Sequence, residues 1–267
     1  MQYQYRVNCM YSDQSPVSIV PGSRGFVFAT TGKQYTRLAR RAARTMRQIM
    51  PHCIIDLFTD QPIRDTVFDQ IHALDDDWFR PKMRAIRETR FERTVVMDAD
   101  MIVVADISDL FQVLDEYDIA GVEAKSRVVN MIGVDSVVPR CVPPINTGLL
   151  VVRASARLRT FAQVWEDDVR ASKSKIDQPS FRRLLYQSDL RYCPIGSEYN
   201  TLWLEVLQIW PEAHGAPRIL HVRGLHKRPA GDPKKPFSLQ ESIGDARARR
   251  VEELLSSDWS LRAGAAP

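Results

Sequence analysis

Three segments in the first sixty residues leave this chain little choice of architecture. Phe26 to Thr30, FVFAT, is a short apolar run set off by Gly25 and Gly32, and it reads as a buried strand. Tyr35 to Met50 carries apolar residues at 35, 38, 42, 46 and 49, a helical stripe. Cys53 to Asp60, CIIDLFTD, is a second strand. A strand, a helix and another strand in that order form the unit of a parallel sheet, closed by a right-handed crossover. The arginines at 37, 40, 41, 44 and 47 lie mostly off the helical stripe and read as a solvated face.

The pattern continues. Lys82 to Arg90 is helical, and Thr94–Asp98, Asp118–Glu123 and Gly148–Arg153 read as strands. Ala154 to Ala171 is an amphipathic helix that turns Leu158, Phe161, Val164 and Trp165 inward. Asp177 to Gln187 is another helix, with Asp177 placed to cap it and Pro179 just inside. Arg218–Leu220 is a last short strand before His221. This alternation predicts an α/β sandwich around a mixed, mostly parallel central sheet. Such sheets bind ligands beyond the carboxyl ends of their strands. At 267 residues one large domain is expected. We divide the chain into an N-terminal extension (1–23), a main domain (24–229) and a C-terminal tail or lid (230–267). Ala124–Pro144, with prolines at 139, 143 and 144, and the polar tail, with a short helix near its end, read as lids or acceptor-binding loops.

Charge and cysteines narrow the function classes. Lys plus Arg number 37 against 33 Asp plus Glu, a net charge of +4. That is too little for a nucleic-acid module resting on the arginine helix, and it suits an anionic small ligand or a membrane surface. The cysteines at 9, 53, 141 and 193 are too far apart for a zinc ribbon. Three of them adjoin apolar runs and read as small core residues in a reducing compartment. The N-terminus, MQYQYRVNCMYSDQSPVSIVPG, lacks a signal-peptide core, and no run reaches the roughly 20 apolar residues of a membrane span. The expectation is a soluble, cytoplasmic protein, with peripheral membrane contact left open.

The chemistry concentrates in VVMDADMIVV. A buried strand excludes unpaired carboxylates, because burying a bare charge is costly. Asp98 and Asp100 nevertheless sit between two apolar runs. Two carboxylates leaving a strand can share a hard divalent cation such as Mg²⁺ or Mn²⁺, which can bridge to a diphosphate leaving group. A tight turn with two solvated aspartates is the other reading. The chain's second Asp-x-Asp, Asp75 and Asp77 in LDDDW, follows no apolar strand and reads as such a turn. Aspartyl phosphatases of the haloacid dehalogenase type also carry Asp-x-Asp, usually at the end of the first strand and followed two residues on by Thr or Val. Here that residue is Ile102, and at least two strands come earlier.

Downstream, PPINTGLLVVR places Asn146, Thr147 and Gly148 before a strand, KIDQPSFRRLL places Asp177 and Gln178 at a helix start, and ILHVRGLHKRP places His221, Gly224 and Lys227 after a strand. In this order, and with the stretch KMRAIRETRFERTVVMDADMIVVADISDLF, residues 24–229 resemble glycogenin and its relatives, retaining glycosyltransferases of the GT-A fold. The resemblance implies that Asp98, Asp100 and His221 bind the metal. It places Lys227 and Gly224 at the donor diphosphate, Asn146, Thr147 and Gly148 along the donor sugar and acceptor, and Asp177 and Gln178 at the anomeric carbon. It puts Thr30, Thr31 and Tyr35 around the uracil, and Lys82 and Ala99 near the donor. The final motif departs from the family's Lys-Pro-Trp: Lys227 is followed by Arg228 and Pro229.

The implied activity is transfer of a sugar from a nucleotide-diphosphate donor, a UDP-sugar, to an unidentified hydroxyl of a glycan, lipid or small molecule, assisted by Mn²⁺ or Mg²⁺. The alternatives are a sugar nucleotidyltransferase, which should show a Gly-rich phosphate loop where ATTGKQYTRLARR has one Gly, and a non-catalytic nucleotide-sugar-binding relative.

Overall fold

The structure, a computed structural model, describes residues 18–125, 137–172 and 175–261. Its strands are β1 (Val20–Thr30), β2 (Ile55–Thr59), β3 (Gln70–Ala73), β4 (Phe91–Met97), β5 (Met101–Val103), β6 (Ile119–Glu123), β7 (Ile145–Arg153), β8 (Tyr192–Pro194) and β9 (Ile219–His221). Seven of them form one sheet in the order β3-β2-β1-β4-β7-β6-β8, and β5 pairs with β9 in a separate two-stranded sheet. Within the large sheet β7 alone runs against its neighbours; the pairs β2–β3, β1–β2, β1–β4 and β6–β8 are parallel. That reversal lays the first residues of β7 beside the end of β4, where the Asp98 N–H donates to the Gly148 carbonyl at 2.8 Å.

The helices are α1 (Lys33–Ile49), α2 (Lys82–Glu88), α3 (Ala156–Ser172), α4 (Gln178–Gln187), α5 (Leu239–Ile243) and α6 (Asp245–Ser257). They cover both faces of the sheet, which is why its central strands read as unbroken apolar runs. Successive strand residues still point to opposite faces. Phe26, Phe28, Val95, Met97, Leu149 and Val151 pack on one side with Leu38, Ala42 and Met46 of α1. Val27, Val96, Leu150 and Val152 pack on the other with Met83 of α2, Leu158 and Trp165 of α3, and Phe181 of α4. Ile243, Ala248 and Val251, near the C-terminus, join the first of these layers. The buried Trp165 indole donates to the Asp177 carbonyl at 3.1 Å, tying α3 to the start of α4.

Several sequence expectations need correction. β3 and β8 have no counterpart among the expected strands. They are short edge strands of polar or half-exposed residues, QIHA and YCP, without an apolar run to mark them. β7 begins at Ile145, and β9 includes His221 instead of ending before it. The expected short helix near the C-terminus is the 13-residue α6. Val164 is only half-buried. Of the five α1 arginines only Arg37 is exposed. Arg40 and Arg44 pair with Asp65, Arg47 donates to the carbonyls of Cys53 and Val67, and Arg41 donates to those of Ala230 and Pro236. The guanidinium's several donors let each arginine staple loops that the helix would not otherwise hold. None of the three described cysteines is a core residue: Cys53 and Cys193 are half-buried and Cys141 is exposed, while Cys9 lies outside the described residues. Asp75 and Asp77 lie on an exposed turn as expected. Among the described residues no helix is long and apolar enough to cross a membrane. Most of the stretch from Ala124 to Pro144 is likewise outside the described residues; in its described part, Arg182 of α4 donates to the carbonyls of Pro139 and Val142.

Candidate functional site at the strand ends

Asp98 follows the last residue of β4, and Asp100 precedes the first residue of β5. Antiparallel pairing of β5 with β9 sets Met101 opposite His221, so the register itself delivers an imidazole to the aspartates from 121 residues away. His221 Nε2 stands 3.3 Å from Asp100 Oδ1. Ligand atoms of Asp98, Asp100 and His221 all lie within 4.8 Å of one another. Adjacent ligands with bonds of roughly 2.1–2.2 Å at a right angle stand about 3.0 Å apart, so this donor set fits one ion. Hard carboxylate oxygens with a single imidazole suit a divalent cation of the Mn²⁺ or Mg²⁺ kind.

Around that triad the charges are arranged in layers. Lys82, 6% exposed, sits at the first position of α2; its ammonium donates to Asp98 Oδ1 at 2.8 Å and to the Thr147 carbonyl at 2.7 Å. That leaves Asp98 Oδ2 as the oxygen available to an ion. Lys82 Nζ is also 3.7 Å from Asp177 Oδ2, and Arg80 Nη1 is 3.9 Å from the same oxygen. Asp177 is buried, at 3% exposure, and makes no side-chain cap to α4, contrary to the capping expectation. Instead its Oδ1 accepts from the Thr147 hydroxyl at 2.9 Å. Its Oδ2, the neighbouring Gln178 Oε1, Arg80 Nε and His226 Nδ1 are buried polar atoms without a hydrogen-bond partner. Buried polar atoms are ordinarily satisfied; of these four, Arg80 and His226 line one cleft, and Asp177 lies beside Arg80 and Lys82 of its wall.

The cleft, about 290 Å³, has Thr30, Thr31, Tyr35, Lys82, Asp98, Ala99 and Asp100 in its wall, together with Phe79, Arg80 and His226. The Thr30 hydroxyl is engaged with that of Thr36 at 3.1 Å. The Tyr35 ring stacks on His226 with centroids 5.3 Å apart. Partial burial raises the Tyr35 phenol above its ordinary value, with the Asp100 charge adding to the rise. Burial also acts to raise the Asp100 carboxyl, but an imidazolium at His221, charged and donating from Nε2, outweighs it and holds the group below the usual carboxylate range. Asp100 therefore stays ionised at neutral pH.

Gly148 is required by space. A Cβ there would lie 2.6 Å from His221 Cε1, 2.8 Å from Asn146 Oδ1 and 3.0 Å from Asp98 Oδ2. Gly224 is required by conformation: its φ of 83° is left-handed, and a Cβ would meet nothing within 4 Å. That turn leads to Lys227, which is exposed; the cleft wall holds its neighbour His226 instead. Gln34 of α1 fixes this turn by donating to the His226 and Arg228 carbonyls at 3.2 and 2.6 Å.

Sequence reasoning missed Arg80, Phe79 and Asn200, which carry no motif. Asn200 closes a buried chain. The Gly148 N–H donates to Asn146 Oδ1 at 2.9 Å, Asn200 Nδ2 donates to the same oxygen at 3.1 Å, and Asn200 Oδ1 lies 3.1 Å from His221 Nδ1.

No protein-family profile matches the chain, and no curated protein matches it in sequence. Solved structures do match in fold. The glycosyltransferase GlyE of Streptococcus pneumoniae TIGR4 is similar at 20% identity with a TM-score of 0.54, over 90% of this chain and 65% of GlyE. The sheet order, with a single reversed strand and a carboxylate pair at the end of β4, decides the class together with these neighbours. The chain has the GT-A fold. The galactosyltransferase LgtC, crystallised with donor and acceptor sugar analogs, is similar at 14% identity with a TM-score of 0.51, over 90% of this chain and 98% of LgtC. The bifunctional glycosyltransferase WbbM is similar at 13% identity with a TM-score of 0.52, over 90% of this chain and 53% of WbbM. The chain thus spans 65% of the length of GlyE and about half of WbbM.

Proposed function

We propose that the chain is a metal-dependent glycosyltransferase that moves a sugar from a nucleotide-diphosphate donor, a UDP-sugar, to an acceptor hydroxyl with retention of anomeric configuration. The observation that carries this reading is the Asp98–Asp100–His221 cluster on the rim of a cleft at the carboxyl ends of a GT-A sheet. Asp98 Oδ2, Asp100 and His221 Nε2 are the groups that would hold the ion. When bound, a Mn²⁺ or Mg²⁺ ion supplies Lewis-acid neutralisation of the departing diphosphate.

The remaining roles belong to the chain itself. Lys82 locks one oxygen of Asp98 and faces Asp177, so it sets the spacing between the metal side and the sugar side of the cleft. Asp177 Oδ2 and Gln178 Oε1, lacking donors of their own, meet the hydroxyls and the developing positive charge of the sugar. A carboxylate pre-positioned in a buried site is worth more to such a charge than the same group in water. LgtC, whose active-site mutant carries glutamate for glutamine, lends Gln178 support by residue type. Thr31 and Tyr35 form the base side of the cleft, Arg80 and His226 line its diphosphate side, and Lys227, exposed on the turn after His226, reaches the diphosphate from outside that wall. Lysine acts there as a flexible point charge. The acceptor hydroxyl attacks the anomeric carbon from the face the diphosphate leaves, and a phosphate oxygen of the donor takes its proton.

The test is a panel of UDP-sugars with simple glycan and lipid acceptors in the presence of Mn²⁺, with proton NMR of the anomeric coupling in the product. An α-linked product from an α-linked donor is expected. A β-linked product would refute retention, and no turnover of any nucleotide-sugar, hydrolysis included, would overturn the activity.

A further inference from the structure

The buried chain from Gly148 to His221 has a direction, and the direction can be read from one end. The Gly148 amide is a backbone N–H and can only donate, so the Asn146 atom it meets at 2.9 Å is an acceptor, Oδ1. The Asn200 atom facing that same oxygen at 3.1 Å must then be a donor, Nδ2. This turns Asn200 Oδ1 toward His221 Nδ1, 3.1 Å away, and an amide oxygen can only accept. A hydrogen bond between them therefore needs the ring proton on Nδ1. In the neutral ring the lone pair is on Nε2, the nitrogen that faces Asp100. Side-chain amide orientations and histidine tautomers are ordinarily assigned by optimising a network. Here a backbone donor fixes both amides in turn, and so sets an acceptor against His221 Nδ1.

Asn146 and Asn200 are buried, at 6% and 4% exposure, so water does not compete for these bonds. We propose that Asn200 is a positioning residue that holds His221 in its Nδ1-protonated tautomer and so presents the Nε2 lone pair to the metal. The inference rests on the reading of Asp98, Asp100 and His221 as a metal site. Asn200 does not touch the ion; it acts through the imidazole, as an outer partner that orients a ligand and raises its basicity. Asn146 is thereby assigned to the support of the metal site, since its Oδ1 already accepts two bonds. Gly148 has two parts in the same device: its N–H starts the chain, and its missing Cβ makes room for the imidazole. Without an acceptor at Nδ1, the Asp100 carboxylate 3.3 Å from Nε2 is the stronger attractor for the ring's one proton. The neutral ring would then turn its N–H, and no lone pair, toward the ion's place.

Two variants of the full chain separate this from a structural role. Asn200→Leu keeps the approximate volume and removes the acceptor; Asn200→Asp keeps an acceptor at Nδ1, loses the donor to Asn146 and adds a negative charge that favours a proton on Nδ1. Two readouts apply: calorimetric affinity for Mn²⁺ alone, and ¹⁵N NMR of the His221 ring nitrogens in the metal-free protein with the imidazole neutral. In the parent chain the proton is expected on Nδ1. Asn200→Leu should move it to Nε2 and weaken Mn²⁺ binding roughly 10–100-fold, the range for loss of such an outer partner. Asn200→Asp should keep it on Nδ1 and bind Mn²⁺ within a few-fold of the parent. Nδ1 protonation that persists in Asn200→Leu, or equal weakening by the two variants, overturns the proposal. A parent chain that binds no Mn²⁺ overturns the metal reading instead, and the ring-nitrogen measurement still decides the tautomer.

Discussion

The sheet has an Asp–His–cation cluster at each end, and the two are built to opposite purposes. At the amino ends of β2 and β4, Asp56 is 1% exposed and accepts from Arg90 through both oxygens, at 2.8 and 3.0 Å, and from His72 at 3.0 Å. None of these three residues has an unpartnered buried atom. At the carboxyl ends, Asp98, Asp100 and Asp177 face Lys82, Arg80 and His221, yet Asp177 Oδ2, Arg80 Nε and the adjoining Gln178 Oε1 are left without partners. The first cluster is closed and neutralises itself; the second is complete only with something added. A buried carboxylate is therefore not informative by itself. What separates function from support is whether its hydrogen-bonding capacity is used up inside the chain.

The sharpest way to break the contrast is to neutralise one aspartate at each end. Asp98→Asn is expected to reduce metal-dependent turnover about 10³-fold, because neutralising a diphosphate is worth several kcal/mol and each 1.4 kcal/mol is tenfold. Thermal and urea melts should show less loss of stability than for Asp56→Asn, because Lys82 keeps the Asp177 carboxylate and the Thr147 carbonyl. Asp56→Asn should do the reverse: it leaves Arg90 without its carboxylate and should cost about 3 kcal/mol in urea unfolding. Its Mn²⁺ affinity should match the parent's. If both variants lose the same property, the two clusters are not distinct.

Gly148→Ala sharpens the comparison from the packing side. The added methyl would meet His221, Asn146 and Asp98 at 3.0 Å or less, so it should cost about 2 kcal/mol of stability. It should also weaken Mn²⁺ binding, since the side chains displaced include Asp98 and His221 of the proposed metal site. A melt shifted with Mn²⁺ affinity intact would separate the glycine from the metal site.

A smaller effect concerns acid. Burial acts to raise the Asp56 carboxyl, but the bonds from His72 and Arg90 prevail and hold it below its ordinary 3.8. A depressed folded value means that the unfolded chain binds the proton first. The stabilisation is thus fully present above about pH 5 and is lost as pH falls through 3.8 toward the folded value. Urea midpoints followed from pH 5 downward should fall for the parent and less steeply for Asp56→Asn.

The two ends also differ in how much of them the sequence disclosed. The central strands were legible because a sheet covered on both faces needs apolar runs, and FVFAT, IDLF and TVVM have them. The edge strands β3 and β8 were not, because polar, half-exposed residues leave no such mark. Asp98 and Asp100 stood out by violating an apolar context, whereas Asp56 sits inside CIIDLFTD as a single residue whose partners come 16 and 34 positions later. Lys82 and Asp177 came from resemblance, not from pattern. Asn200 had no signal at all: it meets Asn146 and His221 through a reversed strand and a register that only the folded chain creates. The α1 arginines were misread for the same reason, since composition does not say which carbonyls a guanidinium will find.

The central claim is that the open cluster is completed by a metal and a nucleotide diphosphate together. Titrating UDP into the protein by calorimetry, once with Mn²⁺ and once in EDTA, tests it most directly. The expected result is saturable binding with Mn²⁺ that weakens at least tenfold in EDTA and is lost in Asp98→Asn but kept in Asp56→Asn. Equal affinity for UDP with and without the metal would contradict the account.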